Sequence, residues 1–222
     1  MTKNQLIIKF LHDLVGNNNR DWFAANKERY TDALEAFREE VAWFIARIGE
    51  FDERVKYLMP DECIFRIYRD IRFSPNKQPY KNHFGAYIAP HGGRKSLLSG
   101  YYLHIQPDAS FFSGGIYCPE PAALKRLRES IDIHYEELVA ITNVQAFKNA
   151  FDEIVSPEAL KRVPTGFASD SPAAEWLKFK HFIVQHPVSD AEFIASDFHE
   201  KALSVFRAMK PFNDFLNEAL EG

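Results

Sequence analysis

Over the first fifty positions apolar residues recur at helical spacing. Leu6, Phe10, Leu11 and Leu14 share one face, and Gly16-Asn17-Asn18 ends that segment. Asn19 is a good N-cap for the next helix, with Asp21 in the first turn, where the helix dipole favours an acid. A long amphipathic helix then gathers Tyr30, Leu34, Phe37, Val41, Phe44, Ile45 and Ile48 on one side and stops at Gly49.

The period then changes to two. Phe65, Ile67, Ile71 and Phe73 alternate with Arg66, Tyr68, Asp70 and Arg72, which predicts a strand with Arg69 as the exception on its apolar face; a short helix over 68–72 is the rival reading. Residues 84–89 predict a second strand, 97–106 a third and 111–117 a fourth. The turns between them are His91-Gly92-Gly93-Arg94 and Pro107-Asp108-Ala109-Ser110. Such short connections imply an antiparallel meander. Gly114-Gly115 inside the last strand points to a bulge or a close backbone approach.

Helical spacing returns after Pro119, over 120–131 (Leu124, Leu127, Ile131), 135–141 and 145–151. Residues 156–172, with three prolines and Gly166, are irregular and are the one place a boundary could fall. A final helical run over 190–220 carries Phe193, Phe198, Phe206 and Phe215 and is interrupted near Pro211. Helices, strands, then helices predict an α+β fold, a central antiparallel meander of about four or more strands covered by N- and C-terminal helices, in a single domain over 1–222.

Composition supports this. With 222 residues, 46% of them hydrophobic and 20 of them Phe, the chain can build a large core without a metal or a disulfide framework. Cys63 and Cys118 stand far apart, outside any C-x-x-C pair, and read as small core residues. The eight histidines form no H-x-x-x-H, so no metal is expected. No G-x-G-x-x-G, P-loop or G-x-S-x-G is present, so no cofactor is expected and no nucleophile motif reads cleanly. No apolar run reaches membrane-spanning length and no secretory leader pattern is visible, so the expected location is the cytoplasm.

Charge changes the picture more. Residues 66–81 hold Arg66, Arg69, Arg72, Lys77 and Lys81 against the lone Asp70, a net of +4 in a chain of net −4. On a strand, like charges two residues apart, about 7 Å, repel by about 2.4 kcal/mol at an effective dielectric near 20. The cluster therefore needs more negative charge than Asp70 supplies, either from distant acids such as Glu62, Asp108 or Glu120 or from a bound anion. Arg66, Arg69, Arg72, Ser74, Asn76, Lys77, Tyr80 and Lys81 are the candidate ligand-binding residues. Asp70 and His104 are candidates for acid–base work if the two side chains meet. As a strand, the stretch makes Arg69 the better candidate for a buried structural partner, and Arg72, Lys77 and Lys81 the better candidates for a ligand.

The pattern R-x-x-R-D-x-R-F-S-x-N-K-x-P-Y-K over Arg66 to Lys81 resembles the signature of an uncharacterised bacterial and fungal family catalogued as domain of unknown function 2461. Asn18-Asn19-Arg20-Asp21-Trp22-Phe23 is similar to that family's N-terminal motif, Gly114-Gly115-Ile116-Tyr117 with Pro119 to its strand-to-turn motif, and Leu160 to Phe167 to its late L-K-x-x-P-x-G-[FY] motif. The family pattern carries a basic residue at the position of Thr165, which weakens the case for that loop in an anion site. The resemblance implies one compact domain and brings no activity with it.

Three functions fit these residues. The first is binding of a small phosphate-bearing or carboxylate ligand at the basic motif, with or without catalysis. The second is a non-enzymatic interaction protein in which the arginine–aspartate cluster is a buried ion-pair network. The third is local nucleic-acid binding, with Tyr80, Tyr87 and Tyr102 stacking on bases, which the overall negative charge disfavours. Oligomeric state is not legible.

Overall fold

The computed structural model describes residues 1–152, 154–155 and 158–221. Helix α1 (Lys3–Gly16) starts in a capping box: the Thr2 hydroxyl accepts the Gln5 N–H at 3.2 Å, and the Gln5 side chain accepts the Thr2 N–H at 2.9 Å. Asn19 caps α2 (Arg20–Ala25) as its sequence position predicts, accepting the Trp22 N–H at 2.9 Å. Helices α3 (Lys27–Ile48) and α4 (Pro60–Cys63) follow, then strands β1 (Phe84–Ile88), β2 (Gly100–Ile105) and β3 (Ser110–Ile116). Helices α5 (Pro121–Ile133), α6 (Tyr135–Asn143) and α7 (Gln145–Ala150) lead to β4 (Ile154–Val155). Helix α8 (Ala174–Leu177), strand β5 (Phe182–Val188), and helices α9 (Asp190–Ile194) and α10 (Phe198–Glu221) complete the chain. No described helix is long and apolar enough to cross a membrane.

Among the described residues five strands form one antiparallel sheet in the order β1-β2-β3-β5-β4. The β1–β3 meander and the α+β class are those the sequence predicts. One sheet face packs on α1, α3 and α10 through aromatic contacts: Phe84 stacks on Phe10 and Phe37, Phe112 meets Phe44 and Phe206, and Tyr101 meets Phe206. Burying such a side chain contributes about 1.5–3 kcal/mol. The other face presents Tyr87, Tyr102, Phe111, Ser113 and Gln185 by strand alternation.

Three expectations are corrected. Residues 65–73 form no strand; only isolated bridges, Ile64 to Ala86 and Tyr68 to Tyr80, mark the segment. Its alternation encodes no buried face: Ile67 is buried, but Phe73 is 93% exposed. Pro75 and Pro79 bring no N–H to a ladder, so the chain folds back on itself as a loop. Strand β5 was not anticipated; Phe182 and Val184 point into the core, but Pro187 and two histidines in and beside it dilute the pattern. Finally, the last helical run breaks at residues 195–197 and not at Pro211, which lies inside α10. A proline there costs about 3 kcal/mol. The flanking Phe206, Met209, Phe212 and Phe215, all buried, offset it. Ser156 and Pro157, at the start of the predicted irregular segment, lie outside the described residues; 158–172 contain no helix or strand.

Helix α10 is joined to the sheet by two buried asparagines one turn apart. Asn217 accepts the Ser99 N–H at 2.7 Å and donates to the Ser99 carbonyl at 3.0 Å. Asn213 Oδ1 accepts the Ser99 hydroxyl at 2.7 Å and the Gly115 N–H at 2.9 Å, while its amide donates to the Gly100 carbonyl at 2.9 Å. The predicted close approach at Gly114-Gly115 is this contact. A side chain at Gly114 would meet Met209 Sδ at 2.6 Å, and Gly115 has φ +96°, with Phe182 O 1.9 Å from where its Cβ would stand. Replacing Asn213 with Leu leaves three buried polar groups without partners. Urea denaturation should show a loss of about 3 kcal/mol or more, against under 0.5 kcal/mol for an exposed α10 substitution such as Lys201→Ala.

Candidate functional site

A cavity of about 740 Å³ lies on the sheet face away from α10. This is within the size range of small-molecule sites. Its floor is Tyr87, Tyr102, Phe111, Ser113, Ile183 and Gln185; its walls are Phe65 and Lys81, then Arg94, Ser96, Leu97 and Leu98, and the turn from Ile116 through Glu120 into α5. Lys81 precedes β1 and Arg94 follows it, so the two cations sit toward opposite ends.

Lys81 reaches the cavity because two of the sequence motifs converge on Tyr80. Asn18 clamps the Tyr80 backbone from both sides, donating to its carbonyl at 3.0 Å and accepting its N–H at 3.2 Å. Phe23 stacks on the Tyr80 ring with centroids 3.9 Å apart. The Lys81 N–H donates to Ile67 O at 2.8 Å and the Arg69 N–H to Pro79 O at 3.0 Å, closing the base of the loop. The Asn19 and Asp21 capping role and this clamp together account for the N-terminal motif.

Three of the other four cations, Arg69, Arg72 and Lys77, are spent on the loop itself. Arg69 is half-buried, but it meets no acid: it donates to Gln78 O at 3.0 Å and Ser74 Oγ at 3.3 Å. Lys77 donates to Ile71 O at 3.1 Å. Arg72 and Asp70 form an exposed two-pronged pair at 2.7 and 3.0 Å, and this guanidinium holds the Asp70 carboxyl below the usual range. Asn76 accepts the Gln78 N–H at 2.9 Å. Arg66 is exposed and does not line the cavity. The expected buried Arg69 partner and the two-faced strand are therefore replaced by a loop that satisfies its own carbonyls. Tyr80 is buried under Phe23 and not presented for base stacking. Of the eight candidate ligand residues, Lys81 alone lines the cavity.

Asp70 and His104 are not brought together. His104 sits on β2 behind the cavity floor, between the Phe111 ring at 4.5 Å and the His83 ring at 4.1 Å. Its Nε2 faces Gln106 Oε1 at 3.1 Å, an acceptor, so that nitrogen carries the proton. The free lone pair on Nδ1 then accepts the Tyr102 hydroxyl at 3.0 Å. Gly85, opposite His104, makes room for this pair: a Cβ there would stand 2.8 Å from the Tyr102 oxygen. Burial, and next the charge of Lys81 with an opposing Gln106 hydrogen bond, leaves His104 below the ordinary histidine value. Burial, then His104 and Lys81, pushes His83 down to about 3. Burial pushes Tyr102 up to about 12. Both rings and the phenol are thus neutral at pH 7. Lys81 is half-buried, its ammonium 5.4 Å from the Phe65 ring centroid, and no acid or acceptor pairs with it among the described residues. Burial, then Arg66, lowers its pKa.

A family model described as conserved hypothetical protein (DUF2461) matches residues 6–215. The chain belongs to that family. Searches of curated proteins and of solved structures return no match. Of the family motifs, the basic stretch supplies Lys81 and the Gly114–Pro119 stretch supplies the far wall. There Cys118, at φ +50°, donates its N–H to His181 Nδ1 at 2.9 Å. The late motif does not line the cavity; Gly166 has φ +100°, the special angle its sequence suggests, and Thr165 and Arg162 are exposed. Sequence reasoning missed Phe65, His83, Phe111, Arg94 and Gln185. Outward aromatics at alternate strand positions were the available signal for the floor; nothing local marks Arg94.

Two outcomes follow from this geometry. His83 titrates at 6.5 when unfolded and at about 3 when folded, so the unfolded chain takes up its proton first. The stability tied to neutral His83 is complete above pH 6.5 and is lost as pH falls toward 3, at up to about 1.4 kcal/mol per pH unit. Urea denaturation at pH 7 and pH 5 should therefore show a smaller loss for His83→Gln than for the wild type. Arg69→Ala removes one bond to the Gln78 carbonyl and one to the Ser74 hydroxyl, and no buried ion pair. It should cost only about 1 kcal/mol in global stability while making 70–79 the first site of limited proteolysis.

Proposed function

We propose that this protein binds a small organic anion in the sheet-face cavity, with the charged group against Lys81 and an apolar body over Tyr102, Phe111 and Ile183. One observation carries the reading: a half-buried lysine beside aromatic rings with no anion of its own. An unpaired cation in such a place is costly, and an anionic ligand offsets that cost with a charge-assisted hydrogen bond. The cation-rich loop supports approach of an anion from solvent and then holds Lys81 in place.

A carboxylate fits better than a phosphate. Among the described residues the cations that line the cavity are Lys81 and Arg94, which come from separate segments, and the N-terminus of α5, which would otherwise attract phosphate, is occupied by Glu120 and Pro121. Two unpaired cysteines, Cys63 and Cys118, suit a reducing cytoplasmic setting.

Calorimetric titration with phenylacetate, hexanoate, inorganic phosphate and glucose 6-phosphate tests this reading. Apolar carboxylates should bind most tightly, and Lys81→Met should weaken them by about tenfold or more, the cost of one charge-assisted contact. Affinity should fall with rising pH below the ordinary lysine range, because the Lys81 proton is held less tightly than usual. Binding that is absent for all four compounds, or unchanged in Lys81→Met, overturns the proposal.

A further inference from the structure

We propose that Lys81 is a nucleophile that forms an imine with a 2-oxo acid held in the cavity. This rests on the cavity being an anion site and names the class of molecule it takes. The argument starts from what the Lys81 amine lacks. Other lysines here pair with acids, Lys178 with Glu175 and Lys201 with Asp197, at 2.5 and 2.9 Å. Lys81 has no such partner among the described residues and stands instead beside Phe65 and within reach of the Arg66 charge. An amine next to a second cation and an apolar wall is the arrangement that frees a lysine lone pair.

The second half of the argument is the neighbourhood. Phe65 links Lys81 and Tyr102: the Lys81 ammonium is 5.4 Å from its ring centroid, the Tyr102 ring lies 6.2 Å from it edge-on, and Phe65, Lys81, His83 and Tyr102 line the same cavity. Tyr102 lines the cavity, and its hydroxyl donates to His104 Nδ1 at 3.0 Å. That phenol can take a proton on oxygen while passing its own to His104, and can return it. Among the described residues Glu120, at the start of α5, is the one carboxylate that lines the cavity.

The step balances without an added reagent. The Lys81 nitrogen lone pair attacks the carbonyl carbon, a C–N bond forms, and the carbonyl π electrons move to oxygen. One nitrogen proton passes to that oxygen by way of Tyr102. The C–O bond then breaks, water leaves with the second nitrogen proton, and the C=N bond remains. When protonated, the imine nitrogen keeps a positive charge beside the ligand carboxylate, so the contact that binds the anion survives the reaction. The apolar floor favours a 2-oxo acid with an aryl or alkyl body over a polar sugar acid.

Reductive trapping tests it. The whole protein is incubated with phenylpyruvate and sodium cyanoborohydride, and the modified lysines are mapped by peptide mass spectrometry. The expected result is one adduct per chain, on the peptide carrying Lys81, forming at least about tenfold faster than on any other lysine because the cavity pre-positions the carbonyl. The adduct should disappear in Lys81→Arg, whose thermal unfolding reports that it is folded, and should be suppressed by phenylacetate, which fills the cavity without a carbonyl. Tyr102→Phe, which keeps the ring and removes the hydroxyl, should slow trapping at saturating phenylpyruvate. Labelling spread over surface lysines overturns the imine. So does an absence of adduct while phenylacetate still binds, which leaves the anion site standing. Absence of both binding and adduct removes both readings.

Discussion

The pair of buried asparagines on α10 is the contact on which the architecture turns. Asn213 is 1% exposed and Asn217 fully buried; Asn217 uses both ends of its amide on the Ser99 backbone just before β2, and Asn213 bonds backbone at the start of β2 and near the end of β3. Buried amides cost free energy unless satisfied, so these bonds admit one register of helix on sheet. They bring α10 down on Gly114-Gly115 and commit that sheet face to the helices. The opposite face is then the one left to form the cavity, and the same Gly114–Pro119 stretch that receives α10 supplies the cavity's far wall.

A second constraint sits at the other end. The basic loop holds itself together through side chains donating to its own carbonyls, from Arg69 to Gln78 and Lys77 to Ile71. Backbone acceptors in a loop without a sheet ladder need donors, and long cationic side chains provide them. Three of the five cations are consumed in loop contacts or in the Asp70 pair. What the loop delivers is position. With Asn18 and Phe23 it fixes Tyr80, and the next residue, Lys81, enters the cavity without a counter-charge.

Much of this was legible in the chain. The helices α1, α3 and α5, the Asn19 cap and the β1–β3 meander follow from periodicity and turn residues, which act between near neighbours. Charge alone makes the basic stretch stand out from the rest of the chain. Its alternation was misread as a strand, because period two states only that residues alternate, not that one side has anything to pack against. Acid–base work by His104 required Asp70 to meet it; the structure supplies Tyr102, Gln106 and His83 instead.

The sequence by itself determined the class of fold, the caps, the three-strand meander and the concentration of charge in one acidic chain. Each is set by local spacing, by residue type, or by a sum over residues. Tertiary structure alone decided which strand joins β3, that Pro211 stays within α10, which arginines are spent inside their own loop, and which single lysine faces a cavity unpaired. Those outcomes depend on contacts between residues far apart in the chain, from Asn18 to Tyr80 and from Ser99 to Asn217. No local pattern encodes them, because each partner is ordinary until the other arrives.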